Sequence, residues 1–94
     1  MIAIARFSVP LASALEFYAQ IEAARLALAE CVGYLGGEHG QNLDDPTLWV
    51  LMTTWENVGS YRRALSSMRV KMEAIPLLAR AIDEPGAYEN SQSQ

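Results

Sequence analysis

The chain has few of the residues from which metal and disulfide sites are built. It has one cysteine, Cys31, so no internal disulfide can form, and this fits a reducing compartment such as the cytoplasm. It has one histidine, His39, and a single histidine among scattered carboxylates lacks the ligand spacing of a metal site. We therefore expect a cytoplasmic protein that binds no metal.

Basic residues and long apolar runs are also scarce. The 7 lysine and arginine residues are outnumbered by 11 acidic residues, which gives a net charge of −4 at pH 7. Nucleic-acid binding needs a basic surface that neutralises phosphates, so we expect no such partner. No apolar run approaches the ~20 residues that cross a bilayer. Arg6 and Pro10 interrupt an N-terminal segment that lacks the basic start of a signal peptide, so we expect no membrane partner either.

The chain does have a high apolar content in a length that suits one domain. Its 94 residues are 51% hydrophobic, which is above the level of disordered chains. This predicts one domain over residues 1–90. Residues 91–94 are polar, and we predict that they form a flexible tail.

The segment Leu48–Trp55 gives the strongest secondary-structure signal, and we predict that it is a strand. Alternate side chains of a strand point to opposite faces. One face would carry Leu48, Val50, Met52 and Thr54, and the other would carry Trp49, Leu51, Thr53 and Trp55. Both sets are largely apolar, so both faces should be covered. Because the helices of a small domain cover one face, we predict a homodimer that forms through the other face of the sheet.

The remaining elements follow from periodicity and from the positions of proline and glycine. The predictions are a strand Ile2–Val9, a helix Ala14–Glu30, a glycine-rich strand Val32–Gln41, a helix after Asn57, a helical segment Val70–Ile82 interrupted by Pro76, and a very short strand within Ala87–Asn90. The order β-α-β-β-α-(β) predicts an α+β, ferredoxin-like fold, in which an antiparallel sheet carries its helices on one face.

Each long helix has a predicted start and a predicted inner side. Ser13 and Glu16 match a capping box for the first helix, and Asn57 can cap the second. The apolar side of the first helix comprises Phe17, Ile21, Ala24, Leu28 and Cys31, with Leu15 and Tyr18 widening it. The apolar side of the second comprises Val58, Tyr61, Ala64, Leu65 and Met68.

Four short motifs resemble a known family. They are G-x-L-G-G-E at Gly33–Glu38, D-D-P-T at Asp44–Thr47, W-E-x-x-x-x-Y-R at Trp55–Arg62 and D-E-P-x-A-Y-E at Asp83–Glu89. Together they are similar to the antibiotic biosynthesis monooxygenase domain family. This resemblance implies a dimeric α/β barrel, in which the sheets of two subunits close against each other.

The resemblance also implies chemistry, which differs between branches of the family. One branch oxidises polycyclic phenols to quinones with O2 and no cofactor, and Trp55 and Tyr61 match a tryptophan and a tyrosine implicated there. Two other polar positions of that branch fall on Leu51 and near Ile75 in this chain. A second branch degrades heme, but its axial histidine falls at about Ala74, so the resemblance disfavours heme degradation.

Seven positions are candidates for a site. The candidate catalytic residues are Trp55, Tyr61 and His39, and the candidate substrate-binding residues are Arg6, Leu51, Met68 and Met72. Tyr61 would hydrogen-bond a substrate oxygen, and Trp55 would stack on the ring or donate its N–H. All of them except Leu51 have a structural alternative: His39 as a surface-loop residue, the two aromatic rings and the methionines as core, and Arg6 as an edge residue with its head in water.

Two functions remain open on this basis. The first is a cofactor-independent monooxygenase that oxidises an aromatic or polyphenolic small molecule to a quinone with O2. The second is a non-catalytic dimeric protein that uses the same fold to bind small molecules or to assemble. Leu51 and Ile75, which replace polar residues of the matched branch, favour the second.

Overall fold

The computed structural model describes residues 1–91 as an α+β fold. The strands are β1 (Ile2–Ser8), β2 (Tyr34–Gln41), β3 (Leu48–Trp55) and β4 (Ala87–Tyr88), and the helices are α1 (Ala14–Ala29), α2 (Val58–Leu65), α3 (Met68–Glu73) and α4 (Ile75–Leu78). Apart from Ser91, which is exposed, the predicted polar tail lies outside the described residues. Within residues 1–91, no helix is long and apolar enough to cross a membrane.

The described strands form a sheet of order β2-β3-β1-β4, and every neighbouring pair is antiparallel. Strand β3 is central, because it pairs with β1 along one edge and with β2 along the other. This arrangement confirms the ferredoxin-like α+β fold predicted from the order of elements. The predicted bounds of β3 are also confirmed, and those of β1 and β2 differ by one or two residues.

Burial alternates strictly along β3, as its sequence predicts. Trp49, Leu51, Thr53 and Trp55 are buried beneath the helices, whereas Leu48, Val50, Met52 and Thr54 are only partly buried. Residues directly opposite each other in an antiparallel pair share a face. The buried side therefore also includes Ala3, Ala5 and Phe7 of β1. We call this side of the sheet the helix face.

The opposite side of the sheet, which we call the open face, comprises Ile2, Ile4, Arg6, Ser8, Leu48, Val50, Met52, Thr54 and Tyr88. Its apolar members on β1 and β3 are half-buried by their neighbours in the sheet. The alternation in burial puts the described helices on the helix face. The open face therefore presents an apolar surface that this chain does not itself cover.

The inner side of α1 is narrower than its sequence predicts. Phe17, Ile21, Ala24 and Leu28 are buried as expected, but Leu15 is 90% exposed and Tyr18 is 55% exposed. An α-helix turns about 100° per residue. Leu15, two positions before Phe17, therefore lies on nearly the opposite side of the helix and points to solvent.

Of the two predicted helix caps, the structure confirms Asn57 but not Ser13. Asn57 is extended, with φ −162° and ψ 169°, and its side chain accepts a hydrogen bond from the Ser60 N–H at 2.8 Å. Ser13 makes no side-chain cap bond, so the predicted capping box with Glu16 is wrong. The physical reason is the 3₁₀ turn Leu11–Ser13, which holds Ser13 at φ −101° and ψ 5°, away from the extended conformation that a capping side chain needs.

The second helix ends earlier than its apolar pattern predicts. Helix α2 ends at Leu65. Ser67, which has an extended backbone, then caps a new helix by accepting a hydrogen bond from the Val70 N–H. Met68 therefore begins α3 and is 72% exposed, so its predicted place on the inner side of the second helix is wrong. Pro76 lies at the start of α4, where its missing N–H costs no helical hydrogen bond, which confirms the predicted interruption.

The different caps give a direct test of this local structure. Asn57→Ala should lower the free energy of unfolding by about 1 kcal/mol, because it leaves the Ser60 N–H without its acceptor. Ser13→Ala is the matched control and should have a much smaller effect, because its side chain caps nothing. Urea denaturation of the two variants measures both values. Equal losses of stability would contradict the assignment of Asn57 as the cap.

Candidate functional site

A cavity of about 230 Å³ lies between the helix face of the sheet and the helices. Strands β1, β3 and β4 form one wall, and α1, α2 and α4 form the other. The lining residues are Ala3, Ile4, Ala5, Leu28, Leu51, Thr53, Tyr61, Leu78, Gly86 and Ala87. We call this space the site cavity. Among residues 1–91, no charged side chain lines it, so its polar character comes from two hydroxyl groups, those of Thr53 and Tyr61, and from the backbone.

The junction between β3 and α2 positions the aromatic side of this site. Trp55 is the last residue of the strand, and Tyr61 lies in the helix that Asn57 caps. The two rings meet with their centroids 5.6 Å apart and their planes tilted by 58°. The structure therefore brings together the two aromatic residues singled out from the sequence. Trp55 is buried behind the cavity wall, whereas Tyr61 lines the cavity.

Thr53 is a site residue that the sequence analysis did not single out. Its side chain is buried and lines the cavity, and its Oγ1 accepts a hydrogen bond from the Trp55 indole N–H at 2.8 Å. The indole N–H is therefore already satisfied, so it is not the donor to a ligand that we predicted as one role for Trp55. The alternation of β3 was the available signal, because it places Thr53 and Trp55 on the same face.

Tyr61 presents a neutral phenol to the cavity. Burial raises the pKa of its hydroxyl above the usual value of 10.0, because desolvation disfavours the phenolate. In the part of the chain that the structure describes, this hydroxyl has no hydrogen-bond partner. Tyr61 can therefore donate a hydrogen bond to an oxygen atom in the cavity at physiological pH.

The other candidate substrate-binding residues are spread over the molecule. Leu51 is buried and lines the site cavity. Arg6 lies on the open face, where its guanidinium makes two hydrogen bonds of 2.7 Å to the Glu84 carboxylate. Met68 and Met72 are exposed on α3, and neither lines the site cavity. Of these four side chains, the structure therefore places only Leu51 at the site cavity.

His39 is neither in a surface loop nor at the site cavity. It lies in β2 opposite Leu51, its side chain is 9% exposed, and its Nε2 is 2.8 Å from Glu22 Oε1. The Tyr18 ring and the imidazole pack nearly perpendicular to each other, with their centroids 5.4 Å apart. The surface-loop alternative is therefore wrong. Within residues 1–91, no group of three or more His, Cys, Asp or Glu side chains could hold a metal ion.

The carboxylate of Glu22 on α1 contacts both Arg25 and His39. It receives hydrogen bonds from Arg25 Nε and Nη2 at 2.9 and 2.8 Å, and it also contacts His39. The Arg25 guanidinium, followed by His39, lowers the pKa of Glu22 from 4.5 to about 2. The cluster of Glu22, Arg25 and His39 therefore holds α1 against the edge strand β2.

A second, larger cleft of about 460 Å³ lies at the end of α1, against α2 and α3. Its polar groups already bond to the protein. The Cys31 thiol contacts the Ala27 carbonyl at 3.6 Å, Ser67 caps α3, and Arg69 pairs with Glu30. The site cavity is smaller but has unused hydroxyl donors, so we take it as the candidate functional site.

Comparison with known proteins identifies the family. The model of the antibiotic biosynthesis monooxygenase family matches residues 1–72, which is most of the chain. The chain therefore belongs to the antibiotic biosynthesis monooxygenase family, as its short motifs predicted. No curated protein matches it.

Solved structures agree on the fold. SnoaB, a cofactor-independent oxygenase from Streptomyces nogalater, superposes with a TM-score of 0.80 at 24% identity, over 98% of this chain and 93% of that one. A putative antibiotic biosynthesis monooxygenase from Deinococcus radiodurans gives 0.70 at 19% identity, over 98% of both chains. One from Nitrosomonas europaea gives 0.70 at 17% identity, over 89% of this chain and 87% of that one.

The Glu22 cluster predicts a specific dependence of stability on pH. Because folding lowers the Glu22 pKa from 4.5 to about 2, the unfolded chain binds more protons between these values. The stabilisation by Glu22 is therefore complete above about pH 4.5 and is lost as the pH falls towards about 2. Glu22→Gln should cost more stability at pH 6 than at pH 3.

Urea denaturation at the two pH values measures this difference. Glu16→Gln is the matched control, because Glu16 lies in the first turn of the same helix and has no ion-pair partner among residues 1–91. Its effect should be nearly the same at both pH values. If the cost of Glu22→Gln does not change with pH, the carboxylate is not held as the structure shows.

Proposed function

We propose that this protein is a cofactor-independent monooxygenase that oxidises a small phenolic compound with O2. The observation that carries the proposal is the site cavity, which is uncharged and has two hydroxyl donors, Tyr61 and Thr53. An apolar pocket with a few convergent polar groups is typical of small-molecule sites. Family membership supports an oxygenase, and the similarly folded SnoaB is a cofactor-independent oxygenase.

The volume of the cavity favours a ligand of one or two rings. A dry cavity of about 150 Å³ can hold benzene, and pockets for drug-sized ligands begin at about 300 Å³. At about 230 Å³, the site cavity lies between these values. The absence of charged lining residues favours a neutral molecule over a carboxylate or a phosphate, because a buried charge without a partner is costly.

The reaction takes its electrons from the substrate. A phenol becomes a quinone by losing one ring hydrogen and its hydroxyl hydrogen. O2 is reduced in the same reaction: one oxygen atom enters the ring as the new carbonyl, and the other leaves as water with the two hydrogens. Tyr61 would donate a hydrogen bond to the substrate oxygen, where negative charge develops as the phenolic hydroxyl group is deprotonated. The apolar walls would exclude bulk water and fix the ring in one orientation.

A second candidate function is binding without catalysis. It is favoured by Leu51, an apolar residue at a cavity position where the resembling branch has a polar one. In the part of the chain that the structure describes, neither a carboxylate nor an imidazole lines the cavity to act as a general base. On this alternative the protein would bind an aromatic compound or assemble with itself, and O2 would not be consumed.

Tyr61→Phe tests the enzymatic proposal. Loss of one hydrogen bond to the substrate should lower turnover about 2- to 13-fold, because such a bond contributes about 0.5–1.5 kcal/mol. Stability should change by less than about 1 kcal/mol, since the ring remains. The measurement is O2 consumption with phenol, 1-naphthol and 2-naphthol.

Tyr18→Phe is the matched control, because Tyr18 is exposed on α1 away from the site cavity, and its turnover should be unchanged. If the wild type turns over none of these compounds but its melting temperature rises with one of them, binding without catalysis becomes the better proposal. If neither turnover nor a melting shift is found, the cavity does not bind phenols.

We also propose that the protein is a homodimer in which two open faces pack together. The support is the half-buried apolar surface of Ile2, Ile4, Val50 and Met52, which no helix of residues 1–91 covers. A surface of this kind on a small domain is typical of an interface. A second copy of the chain can cover this surface, because a two-fold symmetric dimer packs the same surface of both subunits together.

Val50→Asp should convert the dimer to a monomer, because it would bury an unpaired charge in the interface. Sedimentation velocity at micromolar concentration measures the change. Arg63→Asp, on the exposed side of α2, is the control and should leave the dimer intact. A wild type that sediments as a monomer would contradict the proposal.

A further inference from the structure

The hydroxyl group of Thr53 has a hydrogen atom that the protein does not use. A threonine hydroxyl can donate one hydrogen bond and can accept two. Thr53 Oγ1 accepts the Trp55 indole N–H at 2.8 Å, and in the described chain it makes no other hydrogen bond. The residue is only 2% exposed. A buried donor of this kind normally has a partner.

The surroundings of Thr53 place its side chain in the wall of the site cavity. Its neighbours across the sheet are small, Ala3 on β1 and Gly37 on β2. The methyl group lies on the β2 side, where a Cβ added to Gly37 would be 3.0 Å from Thr53 Cγ2. Thr53 lines the cavity together with Ala3, its partner on β1.

We propose that Thr53 binds the substrate of the proposed oxygenase by donating its hydroxyl hydrogen to a substrate oxygen, and that Trp55 is the positioning residue that orients this hydroxyl. Trp55 acts through its indole N–H, which occupies one acceptor position of Thr53 Oγ1 and so limits the directions in which the hydroxyl hydrogen can point. In this proposal Trp55 acts on the ligand only through Thr53 and does not contact the ligand itself. The inference rests on the function proposed above.

This pair of donors defines the ligand more narrowly than the apolar walls do. Thr53 and Tyr61 both line the cavity and can both donate. A ligand oxygen with two lone pairs, such as that of a naphthol or a cyclic ketone, can accept from them. A site built to hydrogen-bond an oxygen discriminates against an analogue without it, because the buried donors would be left unpaired. The cavity should therefore prefer an oxygenated ring to a hydrocarbon of the same shape.

Equilibrium dialysis with 1-naphthol and 1-methylnaphthalene tests this preference. The two probes have similar shapes and differ in the oxygen atom. The wild type should bind 1-naphthol at least tenfold more tightly. Thr53→Val should weaken 1-naphthol binding about 3- to 10-fold, the effect of one hydrogen bond, and leave 1-methylnaphthalene binding unchanged. Thr53→Ser, which keeps the hydroxyl, should restore most of the affinity for 1-naphthol.

Thr54→Val is the matched control. Thr54 is the next residue of the strand, but it lies on the open face, and its hydroxyl bonds to the Gly36 carbonyl at 3.3 Å. This variant should bind both probes as the wild type does. If Thr53→Val weakens both probes equally, or if neither probe binds the wild type, the proposed role of Thr53 is overturned.

A measurement on the wild type covers the case in which Thr53→Val does not fold, since that variant leaves the buried indole N–H without an acceptor. In ¹H–¹⁵N spectra, 1-naphthol should shift the Trp55 indole resonance more than 1-methylnaphthalene does. Equal shifts would contradict the inference. Binding of 1-naphthol with the expected preference, but without O2 consumption, would overturn the oxygenase proposal and leave Thr53 as a ligand-binding residue.

Discussion

The central position of β3 is the constraint on which the rest of the structure depends. The strand bonds to β1 and β2 along its two edges, so its residues have only two directions in which to project. One set is buried beneath the helices and includes Leu51 and Thr53 of the site cavity. The other set lies on the open face, where we propose that a second copy packs. Both the site and the proposed assembly therefore depend on the register of one strand.

The end of this strand is also where the site acquires its polar groups. Trp55 closes β3, and its indole N–H reaches back two residues to Thr53 on the same face. Asn57 then begins α2, which carries Tyr61 over the Trp55 ring. Because the strand end, the cap and the helix start are adjacent in the chain, a short segment fixes the relative positions of both hydroxyl groups. Such a compact construction suits a small domain with little interior volume.

The ion pairs of the described chain lie away from the site cavity, which has no charged lining residue among residues 1–91. Glu22 bonds with Arg25 and His39 between α1 and β2, and Arg6 pairs with Glu84 on the other side of the sheet. A neutral cavity keeps the Tyr61 phenol protonated, because desolvation without a nearby cation disfavours the phenolate. The chemistry available there is therefore hydrogen-bond donation to a ligand, with the electrons supplied by the ligand itself.

The sequence by itself determined the bounds of β3, its two faces, the order of elements, the Asn57 cap and the family. These features depend on residues close together in the chain, which leave a periodic or capping signal. Only the tertiary structure decided that His39 meets Glu22 and that Arg6 pairs with Glu84, because each contact joins separate elements. It also decided which face of β3 encloses the cavity, since both faces are apolar. The role of Thr53 depends on both sequence and tertiary structure. The alternation of β3 places Thr53 on the same face as Trp55, and the packing of the helices makes its side chain part of the cavity wall.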